Sequence, residues 1–127
     1  MSMRTPLGTV LGRGSARSGV HHWWMQRMTA VALVPLSLWL LFSLAGLPLS
    51  DQIAVTHWMA SGWHPVLLCL TIAMMAWHSM LGVQVVVEDY VHGKLARTLT
   101  LVLLNFIHVL IAAAGVYAVL HVAFRSL

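Results

Sequence analysis

An ionisable side chain inside a long apolar stretch is costly to place in lipid, so chemistry is sought there first. His78 stands midway along one such stretch and His108 lies within another. A buried neutral imidazole has two common uses: it hydrogen-bonds a neighbouring helix, or it ligates a metal or a haem iron. Ser79 follows His78, and Gly82 comes one helical turn later on nearly the same face. Small residues there let a flat macrocycle or a second helix approach closely. No Cys/His cluster accompanies either histidine, which argues against zinc. His108 has only Ala112 one turn on, and helix packing is its expected role. His21, His22, His57, His64, His92 and His121 fall at or near the ends of apolar stretches, where an imidazole costs little.

A second polar group is Glu88-Asp89-Tyr90, which holds all the acid of the chain apart from Asp51. Asp89 follows His78 by 11 residues. At about 100° and about 1.5 Å per residue, the two point the same way, roughly 16 Å apart along a helix. Tyr90 combines an apolar ring with a phenol that donates a hydrogen bond. That suits the carbonyl of a quinone head group, and equally an aromatic residue anchored at a membrane surface beside a helix-end carboxylate. Arg27 opens another apolar stretch, at a level expected to be close to Asp89. Three partners suit it: lipid phosphate, Asp89, or an anionic cofactor group such as a propionate.

Elements must hold these residues in place. Of the 127 residues, 60% are apolar and 8% charged, and the mean hydropathy is +0.86. Ten charged side chains cannot coat a soluble domain of this size. An ordinary soluble enzyme and a disordered chain are excluded. The lone Cys69 cannot form an internal disulfide, so a disulfide scaffold is excluded too. Met28–Leu47, Val66–Val87 and Leu99–Phe124 contain no Asp, Glu, Lys or Arg. Each reaches the roughly 20 residues that a helix needs to cross a bilayer. Lipid cannot satisfy bare backbone groups, and strict two-residue alternation is absent, so the expectation is an all-α, integral membrane bundle of three helices. It forms a single domain over 1–127, with an N-terminal segment 1–25 and spans at about 26–47, 64–88 and 98–124. Pro35 is expected to bend the first span.

Arg4, Arg13, Arg17, Arg27, Lys94 and Arg97 flank one side of these spans and Arg125 the other. The positive-inside rule then puts the N-terminus and second loop in the cytoplasm or matrix, and the C-terminus outside. The basic excess therefore reports topology rather than binding to nucleic acid. A cleaved signal peptide is not expected, because the charged region before the first apolar stretch is too long. In the first connection, Ser50 and Asp51 suit the start of a short interfacial helix, with Ile53, Trp58 and Met59 facing lipid. Trp58 and Trp63 are expected at the outer headgroup level, and Trp23 and Trp24 at the inner one.

Two blocks together resemble the small hydrophobic anchor subunit of succinate dehydrogenase, respiratory complex II. The first is Ser18-Gly19-Val20-His21 followed by Arg27-Met28-Thr29-Ala30, similar to the family's G-V-H…R-x-T-A entry into its first helix. The second runs from His78 through Gly82 to Asp89-Tyr90-Val91, similar to the family's H-x-x-x-G…D-Y-[VI] helix. The motifs cover about Ser18 to Val91, and the third span matches by topology alone. The resemblance implies half of a six-helix unit built with a second three-span cytochrome b anchor chain. It implies a shared haem b, with His78 as axial ligand, Gly82 packing on the haem and Arg27 near its propionates. It implies ubiquinone as substrate, contacted by Tyr90 with Asp89 beside it. It also implies an iron–sulfur subunit and a flavoprotein subunit, which do the succinate chemistry. Trp23-Trp24 and Glu88 match no family role.

The expected function is therefore membrane anchoring in a succinate:ubiquinone oxidoreductase, with no catalytic residues in this chain. A fumarate reductase anchor is the same architecture run in reverse. A cofactor-free transporter or structural subunit is the rival from another class, and the spans offer no continuous polar path for transport. A bacterial inner membrane is expected over a mitochondrial one, because no long transit peptide precedes Val20.

Overall fold

Apolar side chains all round, with few charges, favour helices that satisfy their own backbone and leave their sides to lipid. The computed structural model of the chain describes the backbone of residues 16–125 and the side chains of 19–125, and among these it is entirely helical. The expected N-terminal segment falls largely on residues 1–15, which lie outside the described residues. Helix α1 runs Ala16–Ala45, α2 Gln52–Ala60, α3 His64–Tyr90 and α4 Lys94–Arg125. The three long helices have the length and apolarity to cross a membrane. At about 1.5 Å per residue, the 27 residues of α3 reach about 40 Å.

Each boundary has a local cause. Pro35 lies inside α1, which remains one continuous helix. Gly46 ends α1, with its N–H donating to the Phe42 carbonyl. Asp51 caps α2 as expected: its carboxylate accepts from the Ile53 and Ala54 N–H groups at 2.9 and 3.2 Å. Gly62, at φ +55°, makes the turn into α3 in a conformation that a side chain disfavours. Pro65 sits in the first turn of α3, where its missing N–H costs nothing.

Helix α3 is the centre of the molecule. It packs against α1 on one side and α4 on another, and α1 and α4 do not approach each other. The short α2 leans on α3 and α4. The α3–α4 approach is close at Gly115, where an added Cβ would stand 3.1 Å from Ile72 Cγ2. The result is an open layer of helices with a thin core of Leu36, Leu81, Val87, Val119 and Ala123. In the most apolar window of α4 no residue is buried within the chain.

One expectation about the interfacial helix needs correction. Trp58 does not face lipid. It turns inward and stacks on His64 of α3, with ring centroids 4.8 Å apart, and on Trp39 of α1 at 6.0 Å. The His64 Nδ1–H donates to the Trp58 carbonyl at 2.8 Å, which draws the two rings together. The helices also overrun the charge-free stretches, most of all at the start of α1. A charge-free stretch marks hydrocarbon depth, whereas helical hydrogen bonding continues through the headgroup zone.

Candidate functional site

The α1–α3 seam is antiparallel, and two contacts set its register. Thr29 Oγ1 lies 2.9 Å from His78 Nδ1. One turn further along α3, a Cβ on Gly82 would meet Gln26 Nε2 of α1 at 3.5 Å. Each contact pairs a longer polar side chain with a small residue opposite, Thr29 against His78 and Gly82 against Gln26, which lets the backbones approach. Thr29 is buried, with its hydroxyl also 2.9 Å from the Met25 carbonyl and 3.1 Å from the Gln26 carbonyl.

His78 is half-buried, and its Nε2 makes no hydrogen bond among the described residues. It sits midway along α3, as the sequence places it. Among the described residues no group of three His, Cys, Asp or Glu side chains converges on a metal position. His78 is thus a single ligand-capable nitrogen at mid-span depth. On α1, toward its N-terminus, Gln26 Oε1 and His22 Nε2 are buried without hydrogen-bond partners.

His108 is occupied differently. Its Nδ1–H donates to the Leu104 carbonyl at 2.8 Å. Its Nε2 then accepts from the Ser79 hydroxyl at 3.3 Å, across the α3–α4 seam. Both ring nitrogens are used within the chain, which agrees with a packing role. His108 also lines a shallow cavity of about 250 Å³ with Ala73, Ala76, Trp77, Met80 and Ala112.

Arg27 is exposed, and its guanidinium carbon stands 5.3 Å from the centroid of the Trp23 ring. Side chains on a helix lean toward its N-terminus, which carries Arg27 back over the preceding turn. It is not level with Asp89, contrary to expectation. The register puts Arg27 between His78 and Gly82, and Asp89 lies a further seven residues along α3. That is about 10 Å more at about 1.5 Å per residue, too far for an ion pair. The cause is the register of α1 on α3, set by the Thr29–His78 and Gln26–Gly82 contacts.

Tyr90 closes α3 and is 78% exposed, and its hydroxyl has no partner among the described residues. Asp89 is exposed and unpaired there as well. Glu88 differs, since it accepts from Gln84 Nε2 at 2.9 Å. The structure thus places His78, Gly82, Asp89 and Tyr90 on one helix and Arg27 on its neighbour, with two separate polar levels. Thr29 and Gln26 were not assigned a role from sequence. Thr29 stands in the G-V-H…R-x-T-A block, so a polar residue in an apolar stretch was the available signal. Its pairing with a residue 49 positions away left no trace in the spacing.

The chain matches the family model of succinate dehydrogenase/fumarate reductase transmembrane subunits over residues 1–122. It is 34% identical over 108 residues to a succinate dehydrogenase hydrophobic membrane anchor subunit of Rickettsia bellii, covering 85% of this chain and 86% of that one. The corresponding subunit of Rickettsia felis is 39% identical over 99 residues, covering 76% and 81%. A succinate dehydrogenase membrane anchor subunit of Reclinomonas americana is 34% identical over 95 residues, covering 72% and 78%. No solved structure gives a significant match.

Proposed function

Because the chain belongs to the family of succinate dehydrogenase/fumarate reductase transmembrane subunits, we propose that it anchors a succinate:ubiquinone oxidoreductase, co-ligates a haem b and forms part of the ubiquinone site. The observation that carries the haem assignment is His78 Nε2, a ligand-capable nitrogen at mid-span depth with no hydrogen-bond partner among the described residues. One imidazole without converging ligands fits an iron whose other axial ligand comes from a second chain. Bound there, haem b supplies a one-electron redox centre. His78 would hold the iron through Nε2. Arg27, exposed near the same depth, offers positive charge to a propionate. Gly82 keeps α1 close to α3, so a macrocycle packing on Gly82 also meets Gln26.

The open layer supports a partner. Helix α4 buries nothing in its most apolar window, and α1 leaves α4 untouched. A second three-span anchor chain completes the helical unit, and lipid covers the remaining faces. The iron–sulfur and flavoprotein subunits dock at the end that carries Tyr90, Lys94 and Arg97. That end is cytoplasmic by the positive-inside rule, with the C-terminus periplasmic in a bacterial inner membrane. All three relatives named above are succinate dehydrogenase subunits, which favours succinate oxidation over fumarate reduction.

Purification of the tagged chain from its native membranes in mild detergent tests the assignment. The expected product contains a second small hydrophobic chain, the two larger subunits and a b-type absorption band. A chain recovered with those subunits but without a b-type band contradicts the haem role.

Arg27→Lys keeps the charge but loses the planar fork that grips a carboxylate with two hydrogen bonds. The expected result is weaker haem retention or a shifted haem midpoint potential, read by redox titration of the assembled complex. If Arg27→Gln leaves both at the wild-type value, Arg27 serves Trp23 and lipid phosphate only.

A further inference from the structure

Thr29 and Thr71 are the buried polar side chains among the described residues, and Thr29 is 4% exposed. A threonine hydroxyl has one proton to donate and two lone pairs to accept with. Three groups stand within reach of it: the Met25 carbonyl at 2.9 Å, the Gln26 carbonyl at 3.1 Å and His78 Nδ1 at 2.9 Å. The two carbonyls can only accept. Were the proton aimed at His78, both carbonyl oxygens would face hydroxyl lone pairs in a buried site. The proton therefore goes to the backbone, in the back-bond that threonine makes within helices. What the hydroxyl shows His78 is a lone pair, so Nδ1 must bring its own proton. A neutral imidazole carries one N–H. With that proton on Nδ1, Nε2 is a bare lone pair, and iron binds the unprotonated nitrogen.

We propose that Thr29 is a positioning residue that holds His78 in the Nδ1-protonated tautomer and presents Nε2 for axial ligation. The inference rests on His78 as haem ligand and adds the residue that sets its tautomer and ring orientation. His108 makes the contrast within the same chain. Its Nδ1–H is fixed too, by the Leu104 carbonyl rather than a hydroxyl, but its Nε2 is taken by Ser79. At His78, by contrast, the second nitrogen is left over among the described residues. A partner that accepts from Nδ1–H also makes Nε2 more basic and favours the oxidised iron.

The test uses the assembled complex carrying Thr29→Val, which keeps the shape and removes the hydroxyl, with Thr29→Ser as rescue. Thr29→Val is expected to raise the haem midpoint potential, to alter the ferric haem EPR signal and to weaken haem retention by about tenfold or more. Thr29→Ser is expected to restore wild-type values, because the hydroxyl can repeat both contacts. If Thr29→Val does not assemble, Thr29→Ala removes the same hydroxyl with less bulk. A hydroxyl-free variant with wild-type potential, signal and haem content overturns the proposal. So does failure of Thr29→Ser to rescue, which would assign the effect to packing. His78→Leu, measured in parallel, separates the two levels. If it strips haem while Thr29→Val is silent, the ligand stands and the positioning role falls. If His78→Leu leaves the haem unchanged, both fall.

Discussion

Tyr90→Phe is expected to slow succinate–quinone reduction by about tenfold, since the hydrogen bond it deletes spans the roughly 1.4 kcal/mol that tenfold represents. In the proposed assembly, electrons from an iron–sulfur subunit would enter the membrane at the end of α3 that carries Tyr90, and the quinone head group would come to that depth. Tyr90 is the last residue of α3 at that end, exposed, with its hydroxyl unpartnered among the described residues. In the proposed site a phenol there would donate to a quinone oxygen as charge develops on it. Such a bond contributes about 0.5–1.5 kcal/mol to a neutral acceptor and up to about 3 kcal/mol to a charged one. The substitution keeps the aromatic ring, so membrane anchoring is retained. Succinate oxidation by a soluble artificial acceptor is expected to stay at the wild-type rate, because that chemistry lies in other subunits. The measurement is the ratio of the two activities in membranes with equal assembled complex. A wild-type ratio in Tyr90→Phe would make Tyr90 an interfacial anchor alone.

The features readable from sequence were those written in one-dimensional pattern. Charge-free length identified three spanning helices, and Asp51 announced the cap of α2. The motif from His78 to Tyr90 lies on a single helix, so its internal geometry follows from helical pitch, and the resemblance built on it agrees with the family match. Features that depend on two helices were not readable. The depth of Arg27 was misjudged because it depends on how α1 slides along α3. Trp58 was placed toward lipid because its partners, Trp39 and His64, come from two other helices. The Thr29–His78 contact is of the same kind. Composition shows that a residue is polar within an apolar stretch, but only packing shows what it meets.

His78→Leu is expected to abolish or grossly alter the b-type haem while leaving the chain inserted in the membrane. Leucine keeps much of the apolar volume against α1, and α3 has ample apolar surface to remain a spanning helix. On the proposed assignment the loss would be one ligand bond, with no cavity large enough to unfold the layer. Thr29 then loses its inter-helix partner but still donates to the Met25 carbonyl, so no buried donor is stranded. His108→Leu serves as the matched control, because it removes an imidazole of similar depth whose two nitrogens are already engaged within the chain.

The dithionite-reduced minus oxidised difference spectrum of these two variants, each in purified complex normalised to flavin, tests the haem assignment most directly. Loss or displacement of the b-type band in His78→Leu, with the band intact in His108→Leu, is the predicted result. An unchanged band in His78→Leu together with its loss in His108→Leu would contradict it.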